Sequence, residues 1–566
     1  MEKTVLLVAI NAKYIHSNLA VHSLKASAGV YEQVVTIAEY TINQQKDEIL
    51  RDIFLKSPDI LCLSCYLWNL EYVVSITAEF HKICPNVPIW LGGPEVSYET
   101  ESFLKDHPWI NGVMIGEGED TFRELVQYYQ GMGELSDIDG LSWRDGEKIR
   151  FTKPRAPKNL SDVPFCYHDL EEYENRIIYY ESSRGCPFSC SYCLSSIDKK
   201  LRFRKISLVE NELQFFLDKK VPQVKFVDRT FNCDHEHAMA IWEYIRDHDN
   251  GITNFHFEIS ADLLKEEELE LIQAMRPGLI QLEIGVQTTN PNTIAEIHRT
   301  MKLERVKDVV SKIRSFGNIH QHLDLIAGLP FEDYESFRRS FDEIYALWPN
   351  QLQLGFLKVL KGSYMYEHAG EYGILWHDEP PYEVLRTNWL SYEEIIKIKR
   401  VEEMLEVYYN SGQFEVTMKL LYAQGGSAFD LFLSLGNFYE KKGYAGMQHA
   451  RLRRCEILLE YLKERGDIDL SLYQESLIYD LYARENCKTR PSWAPDPSAY
   501  KEMTRKYCEK GKMAHLEPFH YRFPEKSETG LLRLPEREKP PVWIRFDYED
   551  RDPLDHQART QVILGN

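Results

Sequence analysis

Three cysteines in one short segment constrain this chain more than any other feature. Cys186, Cys190 and Cys193 lie in the run Arg-Gly-Cys-Pro-Phe-Ser-Cys-Ser-Tyr-Cys at residues 184–193. Thiolates at this C-x3-C-x2-C spacing can hold three irons of a 4Fe–4S cluster and leave the fourth iron without a protein ligand. An iron that is open in this way can bind a small molecule, whereas a cluster with four cysteine ligands usually transfers electrons. The triad therefore predicts a reactive iron–sulfur site.

A zinc site is the alternative for these cysteines. It would need a fourth ligand from elsewhere in the chain, such as Cys166 or Cys233. Zinc sites usually contain paired C-x2-C units, and the sequence has no second pair at a suitable distance. The zinc interpretation implies a metal-stabilised binding protein rather than an enzyme.

Composition limits the class of protein further. The chain has 566 residues and a formal net charge of −21, so about two to four domains are expected and general nucleic-acid binding is disfavoured. No apolar stretch approaches the roughly 20 residues that span a bilayer, and the N-terminal residues lack the layout of a signal peptide. The 11 cysteines at irregular spacings indicate a reducing compartment. We therefore expect a cytoplasmic protein with no membrane attachment.

Residues 1–150 alternate short apolar runs with polar stretches of helical spacing. Short apolar strands separated by helices are typical of a parallel sheet that is covered on both faces. This region is predicted to be a doubly wound, Rossmann-like α/β domain, with strands at 4–10, 33–38, 60–64, 89–92 and 112–115. Residues 151–176 contain Pro154, Pro157 and Pro164 and are interpreted as a linker.

Residues 177–360 repeat a strand followed by a helix six times. The expected strands are 177–181, 223–227, 254–259, 279–285, 321–327 and 351–359. Six such units fit a partial (β/α)6 barrel, in which chemistry is located at the C-terminal ends of the strands. The cysteine triad follows the first strand, where that rule places a site.

The C-terminal part of the chain loses the strand pattern. Residues 361–390 are interpreted as a connector, and residues 391–566 as a mostly helical domain of unknown role, because apolar residues recur there at helical spacing. Beyond Pro491 the pattern breaks into turns with short apolar runs such as 542–544, which permit no assignment of fold.

The triad and its surroundings resemble the signature of the radical S-adenosylmethionine (SAM) enzymes. The resemblance includes the Gly185-Cys186-Pro187 lead-in and the aromatic Tyr192 before the last cysteine. In that family the open iron chelates SAM, and one electron from the cluster cleaves SAM to methionine and a 5'-deoxyadenosyl radical. The resemblance implies that the three cysteines hold the cluster, and that a reductant such as flavodoxin or ferredoxin supplies the electron.

Four further segments resemble the same family in order and placement. They are 225–232, 257–259, 283–288 and 324–330, and each lies at the end of a predicted barrel strand. The residue types suit the ligand, because the ammonium and ribose hydroxyls of SAM need carboxylate and amide partners and glycines allow close backbone approach. The resemblance implies that SAM is contacted by Tyr192, Asp228, Glu258, Glu283, Gln287, Asp324, Gly328 and Pro330.

A parallel α/β domain in front of such a barrel resembles the cobalamin-binding radical SAM enzymes. The segments 91–95 and 115–122 match the G-G-P and G-E-G-E sequences common in those enzymes. Both fall at predicted strand ends, where open α/β sheets bind ligands. The resemblance implies that cobalamin is bound by Gly92, Gly93, Pro94, Gly116, Glu117, Gly118 and Glu119. The domain could also have lost cobalamin and serve only as a scaffold.

The loop after the first strand departs from the pattern of many cobalamin proteins. Those proteins carry D-x-H-x-x-G, whose His ligates the cobalt, but residues 14–19 here read Tyr-Ile-His-Ser-Asn-Leu, without the Asp and the Gly. The Asp normally orients such a His. We therefore expect His16 to bond within the loop or to line the corrin face, and the cobalt to have no His ligand from the protein.

The resemblance implies a cobalamin-dependent radical SAM enzyme and favours a methyltransferase among the activities of that group. By family analogy, cobalamin takes a methyl group from one SAM, a second SAM supplies the 5'-deoxyadenosyl radical that removes hydrogen from an unactivated carbon, and methylcobalamin then gives its methyl group to the substrate radical. Some relatives instead catalyse oxidations or ring closures, so a non-methylating radical SAM oxidoreductase or cyclase is the second possibility. The sequence does not select a substrate.

Overall fold

The computed structural model describes residues 2–466, 468–496, 498, 513–523 and 534–563. The chain divides into two compact units. Unit 1 comprises residues 1–271, 295–300 and 356–388, and unit 2 comprises residues 272–294, 301–355 and 389–566. Within the described ranges, no helix has both the length and the apolar character required to cross a membrane.

Seven strands build the sheet at the N-terminal end of unit 1: β1 Val5–Asn11, β2 Val35–Thr41, β3 Ile60–Ser64, β4 Ile89–Gly92, β5 Gly112–Met114, β6 Leu141–Asp145 and β7 Lys148–Phe151. Their order is β2-β1-β3-β4-β5-β6-β7, and β1 to β5 are parallel. The predicted doubly wound sheet is confirmed. The two antiparallel strands β6 and β7 were not predicted, because β7 at the sheet edge is largely exposed and lacks a buried-strand pattern.

Six helices cover this sheet: α1 Leu19–Ser27, α2 Lys46–Leu55, α3 Leu70–Ile83, α4 Pro94–Ser97, α5 Thr100–Asp106 and α6 Gly118–Tyr129. Apolar residues of α2 and α3 join one hydrophobic cluster, and those of α1 and α6 join a second one. Cys65 belongs to the first cluster and Cys62 to the second. Residues three apart on a strand point to opposite faces, so these two cysteines pack in different cores.

The remainder of unit 1 contains the beginning of the βα repeat and the two-stranded ladder that precedes the cysteines. The elements are β8 Ile178–Tyr180, β9 Ser183–Arg184, β10 Arg202–Phe203, α7 Ile206–Asp218, β11 Gln223–Phe226, α8 His235–Asp247, β12 Asn254–Ile259, α13 Tyr364–His368, β16 Leu375–Trp376 and β17 Val384–Arg386. Strand β11 pairs in parallel with both β8 and β12. Strand β9 pairs antiparallel with β10, and β16 pairs antiparallel with β17.

Unit 2 contains the later strands of the repeat. Its elements up to residue 356 are α9 Glu266–Gln273, β13 Ile280–Gln287, α10 Pro291–Glu296, α11 Leu303–Phe316, β14 His320–Ala327, α12 Tyr334–Tyr345 and β15 Gln351–Phe356. Strands β13 and β14 pair in parallel, with Glu283 beside His322 and a register shift between Gly285 and Gln287. The six strands predicted within residues 177–360 all form, as β8, β11 and β12 in unit 1 and β13, β14 and β15 in this part of the chain.

The C-terminal part of unit 2 is helical and then changes to a sheet. The predicted helical region is confirmed by α14 Tyr392–Leu405, a π-helix Glu406–Asn410, α15 Glu415–Ala423, α16 Ala428–Lys442, α17 Arg451–Arg465 and α18 Leu470–Arg484. An antiparallel sheet follows, made of β18 Ala514–Tyr521, β19 Arg537–Arg551 and β20 Ala558–Ile563. This sheet was not predicted, because Pro518, Pro540 and Pro541 lie inside its strands and proline argues against a strand.

Candidate functional site

The cysteine loop of unit 1 begins directly after β9 and is held in place by backbone hydrogen bonds. The amide of Cys186 donates to the carbonyl oxygen of Asp198 at 3.0 Å, and the amide of Ser191 donates to that of Ile297 at 2.9 Å. Cys193 closes a turn by donating to Cys190 at 3.1 Å. The loop is therefore fixed at three points without using the cysteine side chains.

Gly185 allows the loop to leave the ladder. Its φ angle is +95°, and a Cβ atom there would lie only 2.6 Å from the carbonyl oxygen of Lys200. A side chain at this position would both strain the backbone and displace the segment around Lys200. Steric contact thus explains why a glycine precedes Cys186 in this chain.

The structure shows no preformed zinc site at the cysteine loop among the described residues. The group of possible metal ligands found among those residues, with ligand atoms within 4.8 Å of one another, is Glu283, His322 and Asp324, and it includes no cysteine. Burial raises the pKa of Cys166 to about 12 and, together with the charge of Cys186, that of Cys233 to about 11. The C-x3-C-x2-C spacing remains the ground for expecting a cluster at this loop.

A partly buried arginine that no motif identified lies beside this loop. Nη1 of Arg299 is 3.8 Å from Sγ of Cys190 and donates to the hydroxyl of Tyr192 at 3.2 Å. Burial raises the pKa of the Cys190 thiol, and the charge of Arg299 opposes that rise. The phenol of Tyr192, predicted to contact SAM, is thus directed towards this guanidinium.

Asp228 supports the strand end that leads into the cysteine loop. It is 1% exposed and accepts hydrogen bonds from the amide of Ser182 at 3.0 Å and from the hydroxyls of Ser182 and Ser183, both at 2.6 Å. Burial raises its pKa to about 6, although these hydrogen bonds act in the opposite direction. Both carboxylate oxygens contact the protein itself, so the predicted contact with SAM stays a prediction.

The remaining SAM candidate of unit 1 is Glu258. It lies near the C-terminal end of β12 and is half-buried, between the buried Phe257 and Ile259. The alternation of a strand therefore turns Glu258 to the opposite face from these two side chains. This orientation is compatible with a contact between Glu258 and a polar ligand, and the predicted contact with SAM stays a prediction.

Unit 2 brings Glu283 and Asp324 together on one face of its sheet. Nε2 of His322 lies 3.1 Å from Oδ1 of Asp324, and one ligand atom each of Glu283, His322 and Asp324 lies within 4.8 Å of the others. Two carboxylates beside an imidazole form a site that favours a cation. His322 was not predicted, although its position two residues before Asp324 places it on the same face of β14.

Gln287, Gly328 and Pro330 lie at strand ends of unit 2. Gln287 follows the register shift of β13 and has a φ of +73°, and its buried Oε1 has no hydrogen-bond partner among the described residues. A buried amide oxygen in this state costs free energy unless a ligand donates to it. Gly328 has a φ of +92°, and Gly328 and Pro330 are buried.

The predicted cobalamin residues all line one cavity of unit 1. Its volume is about 920 Å³, near the upper end of the roughly 300–1,000 Å³ typical of ligand pockets. The same cavity is lined by Arg184 and Gly185 in front of the cysteine loop and by Leu194 behind it. The residues of the predicted set are Gly92, Gly93, Pro94, Gly116, Glu117, Gly118 and Glu119.

The structure shows why residue 93 must be a glycine. Its φ angle is +115°, and a Cβ atom would lie 2.4 Å from the carbonyl oxygen of Cys65. The close approach that requires glycine is therefore made by the protein backbone. Gly92, in contrast, could accept a Cβ at ordinary contact distance from Met114, so its place in the cavity wall does not require a glycine on steric grounds.

Glu117 and Glu119 contact arginines rather than leaving their carboxylates free. Nη2 of Arg184 lies 2.8 Å from Oε1 of Glu119, and Nη1 lies 3.2 Å from Oε2 of Glu117. Arg202 approaches the other oxygen of Glu117 at 2.6 Å. Burial alone would raise the pKa of Glu117, but the hydrogen bond from Arg202 and the charge of Arg184 lower it overall. Their assignment to cobalamin stays a prediction, beside this observed role.

His16 also lines the cavity and is paired with a tyrosine. Its Nδ1 lies 2.7 Å from the hydroxyl of Tyr179. Burial, followed by the charges of Lys13 and Lys225, lowers the pKa of His16, so the ring is neutral at pH 7. His16 therefore lies in the wall of the cavity, and the expectation that it faces a corrin there stays a prediction.

The sequence prediction also missed the aromatic residues of this wall. Tyr66 and Trp68 stack with ring centroids 4.6 Å apart and line the cavity. The indole of Trp68 donates to the carbonyl oxygen of Ile10 at 3.0 Å. Their place directly after β3 was the available signal, because ligands of open α/β sheets bind at the carboxyl ends of strands.

Family models match two adjacent parts of the chain. A model of the B12 binding domain matches residues 5–126, and a model of the radical SAM superfamily matches residues 180–344. This chain is a radical SAM protein with a B12-binding domain. A third model, described as a protein of unknown function (DUF4080), matches residues 370–529. The resemblance stated from the motifs is confirmed, and the radical SAM domain makes the protein an enzyme.

Several curated relatives are methyltransferases by name. This radical SAM protein is 25% identical over 356 residues to an uncharacterized methyltransferase of Pyrococcus horikoshii, covering 61% of this chain and 74% of that one. It is 27% identical over 304 residues to the cobalamin-dependent radical SAM methyltransferase TokK of Streptomyces tokunonensis, covering 50% and 44% of the two chains. The chain thus spans less than half the length of TokK.

A solved structure shares the fold. The cobalamin-dependent S-adenosylmethionine radical enzyme OxsB, with aqua-cobalamin and S-adenosylmethionine bound, superposes with a TM-score of 0.60 at 14% sequence identity. The match covers 85% of this radical SAM protein and 83% of OxsB. At this identity the likeness concerns the fold alone.

Proposed function

We propose that this protein is a cobalamin-dependent radical SAM methyltransferase that acts on an unactivated carbon. The observation that carries the proposal is the cavity of unit 1, which is lined both by the glycine-rich sheet edge and by residues on each side of the cysteine loop. A corrin on that edge would share one reaction space with a ligand on the cysteine loop. Relatives that are methyltransferases by name support methyl transfer as the proposed reaction.

Cys186, Cys190 and Cys193 are proposed to hold the 4Fe–4S cluster. The donor set fits this group, because three thiols on a loop fixed through its backbone can each bind a different iron. Cys186 and Cys190 are buried and Cys193 is partly exposed, so the protein limits the access of water on most of this side. A reduced flavodoxin or ferredoxin is the electron donor that we propose.

SAM is proposed to be held by polar groups at the strand ends. Glu283 and Asp324 supply negative charge for its ammonium group, and Gln287 supplies a buried amide oxygen that accepts a hydrogen bond. These donors and acceptors match the ammonium and hydroxyl groups of SAM. Gly328 and Pro330 shape the adjoining turn, and Tyr192, Asp228 and Glu258 complete the proposed set in unit 1.

The sheet edge from Gly92 to Pro94 and from Gly116 to Glu119 is proposed to bind cobalamin. Tyr66 and Trp68 offer flat apolar surface in the same wall. When bound, the cluster supplies one electron that cleaves SAM, and the cobalamin carries the methyl group. The protein orients both groups and excludes water from a reactive carbon radical.

Product analysis tests this proposal without a known substrate. The chain is reconstituted anaerobically with iron, sulfide, cobalamin, SAM and a reductant, and S-adenosylhomocysteine and 5'-deoxyadenosine are quantified. Methyl transfer from SAM to cobalamin gives S-adenosylhomocysteine, so its formation should depend on cobalamin. Formation of 5'-deoxyadenosine alone would instead support the non-methylating oxidoreductase.

Matched cysteine variants control the product assay. Cys190→Ala should lose cluster iron and sulfide and should form no 5'-deoxyadenosine, because one iron loses its ligand. Cys84→Ala changes a cysteine of the same unit outside the loop and should behave like the unchanged chain. Equal 5'-deoxyadenosine formation by Cys190→Ala and the unchanged chain would refute the cluster assignment.

A further inference from the structure

Two arginines face each other across the ladder that leads into the cysteine loop. Arg184 of β9 and Arg202 of β10 are register partners, and like charges in that position repel each other. Both guanidinium groups contact Glu117, at 3.2 Å for Arg184 and 2.6 Å for Arg202. The carboxylate of Glu117 therefore neutralises a repulsion that would otherwise open the ladder.

Further carboxylates complete this ion-pair network. Arg184 also contacts Glu119 at 2.8 Å and Glu181 at 2.7 Å, and Arg202 also contacts Asp198 at 2.5 Å. The side chain of Glu119 is only 7% exposed. Separating a buried ion pair leaves an uncompensated charge, which is costly in free energy. A displacement of Glu119 is therefore expected to displace Arg184 as well.

The network touches the two proposed cofactor sites. Glu117 and Glu119 flank Gly118 at the start of α6 and line the cavity proposed for cobalamin. Arg184 is one residue from the turn at Gly185, and the carbonyl oxygen of Asp198 accepts the amide of Cys186 at 3.0 Å. A shift of the residue 116–119 loop would thus be transmitted through Arg184 and Asp198 to the first cysteine.

We propose that the ion-pair network of Glu117, Glu119, Arg184 and Arg202 couples the cavity to the cysteine loop, so that cobalamin and the cluster bind cooperatively. This inference rests on the proposed function. The glutamates of the G-E-G-E segment then act as positioning residues for the loop, in addition to lining the cavity. Coupling between two sites is reciprocal, so the cluster-loaded chain binds cobalamin more tightly than the cluster-free chain.

The experiment measures the ratio of two dissociation constants. Hydroxocobalamin is titrated anaerobically into the full chain before and after cluster reconstitution, and its affinity is determined by equilibrium dialysis. The expected ratio for the unchanged chain is about 5- to 150-fold, the usual range of coupling between sites. Glu119→Gln keeps the size of the side chain but removes its charge, and should bring the ratio close to one.

The ratio separates coupling from a merely structural role. A variant that only weakens the cavity lowers the affinity equally in both states and leaves the ratio unchanged. Glu117→Gln provides a second variant with the same expected loss of coupling. The matched control is Glu101→Gln in the same unit, which removes a carboxylate 2.6 Å from the exposed Lys105 and should keep the ratio of the unchanged chain.

Two results would overturn the coupling while leaving the proposed function intact. One is a ratio of one in the unchanged chain, with measurable cobalamin binding in both states. The other is a ratio that persists in both Glu119→Gln and Glu117→Gln. A cluster-loaded chain that binds no cobalamin would instead refute the proposed function, and the coupling with it.

Discussion

Nη1 of Arg299 lies 3.8 Å from Sγ of Cys190. The arginine is located between α10 and α11 and belongs to none of the motifs that identify the cysteine loop. Protein charges and hydrogen bonds near an iron–sulfur cluster set its reduction potential. A fixed positive charge at this distance favours the reduced cluster, which carries one more negative charge.

Replacing Arg299 should therefore lower the reduction potential of the cluster. We expect Arg299→Gln to shift it by about −60 mV, which corresponds to a tenfold change for one electron. The measurement is a redox titration of the reconstituted chain followed by electron paramagnetic resonance. Arg246→Gln on α8, which removes a guanidinium 2.7 Å from Asp247, is the control. An identical potential in Arg299→Gln and the unchanged chain would argue against this electrostatic role.

Removing the charge of Glu283 should weaken SAM binding. A hydrogen bond to a charged group contributes about 1.5–3 kcal/mol, so Glu283→Gln is expected to raise the dissociation constant of SAM by about tenfold or more. Cluster content should not change, since Glu283 lies on β13 and outside the cysteine loop. Isothermal titration of the cluster-loaded chain with SAM measures this effect.

A charge change elsewhere in unit 2 provides the comparison for that titration. Glu304 is exposed on α11 and contacts Lys307 at 3.1 Å, so Glu304→Gln removes the same charge from a solvent-facing site. It should bind SAM as the unchanged chain does. Unchanged affinity in Glu283→Gln would mean that the strand-end assignment of the SAM site is wrong.

Asp228 should make the start of the cysteine loop sensitive to pH. Burial raises its pKa from 3.8 to about 6, so its ionised form is disfavoured in the folded state. Its contribution to stability is complete below pH 4 and is lost as the pH rises through about 6. A shift of two pKa units corresponds to a loss of up to about 3 kcal/mol.

The amide of Ser182, which donates to Asp228 at 3.0 Å, reports this effect. Its hydrogen exchange should slow in Asp228→Asn relative to the unchanged chain as the pH rises from 4 to 6.5. Burial lowers the pKa of the neighbouring His237 to about 4, which gives a pH dependence of opposite sign but is common to both proteins. Asp106→Asn, at an exposed site, is the control. A difference in exchange that is independent of pH would contradict the prediction.

The strands and the cysteine loop were predictable because their signals are local. The apolar runs in β1, β3 and β4 and the cysteine spacing can be recognised within ten residues. The edge strand β7 and the C-terminal sheet were not predictable, because exposed residues and internal prolines mask their pattern.

Most of the site contacts that could not be predicted join residues far apart in the sequence. Arg184 and Glu119 are separated by 65 positions, and no local pattern pairs them. The G-E-G-E segment was therefore assigned to cobalamin alone, whereas its carboxylates contact arginines. Arg299 and His322 are single residues near predicted ones, and only tertiary structure brings them to the site.

We predict that the cavity beside the cysteine loop holds a cobalamin whose cobalt has no His ligand from the protein. The direct measurement is electron paramagnetic resonance of the chain loaded with cob(II)alamin. We expect one bound cobalamin per chain, a spectrum without the threefold splitting of an axial nitrogen, and no change in His16→Ala. Nitrogen splitting that disappears in His16→Ala would show that His16 ligates the cobalt, and a chain that binds no cobalamin would contradict the account as a whole.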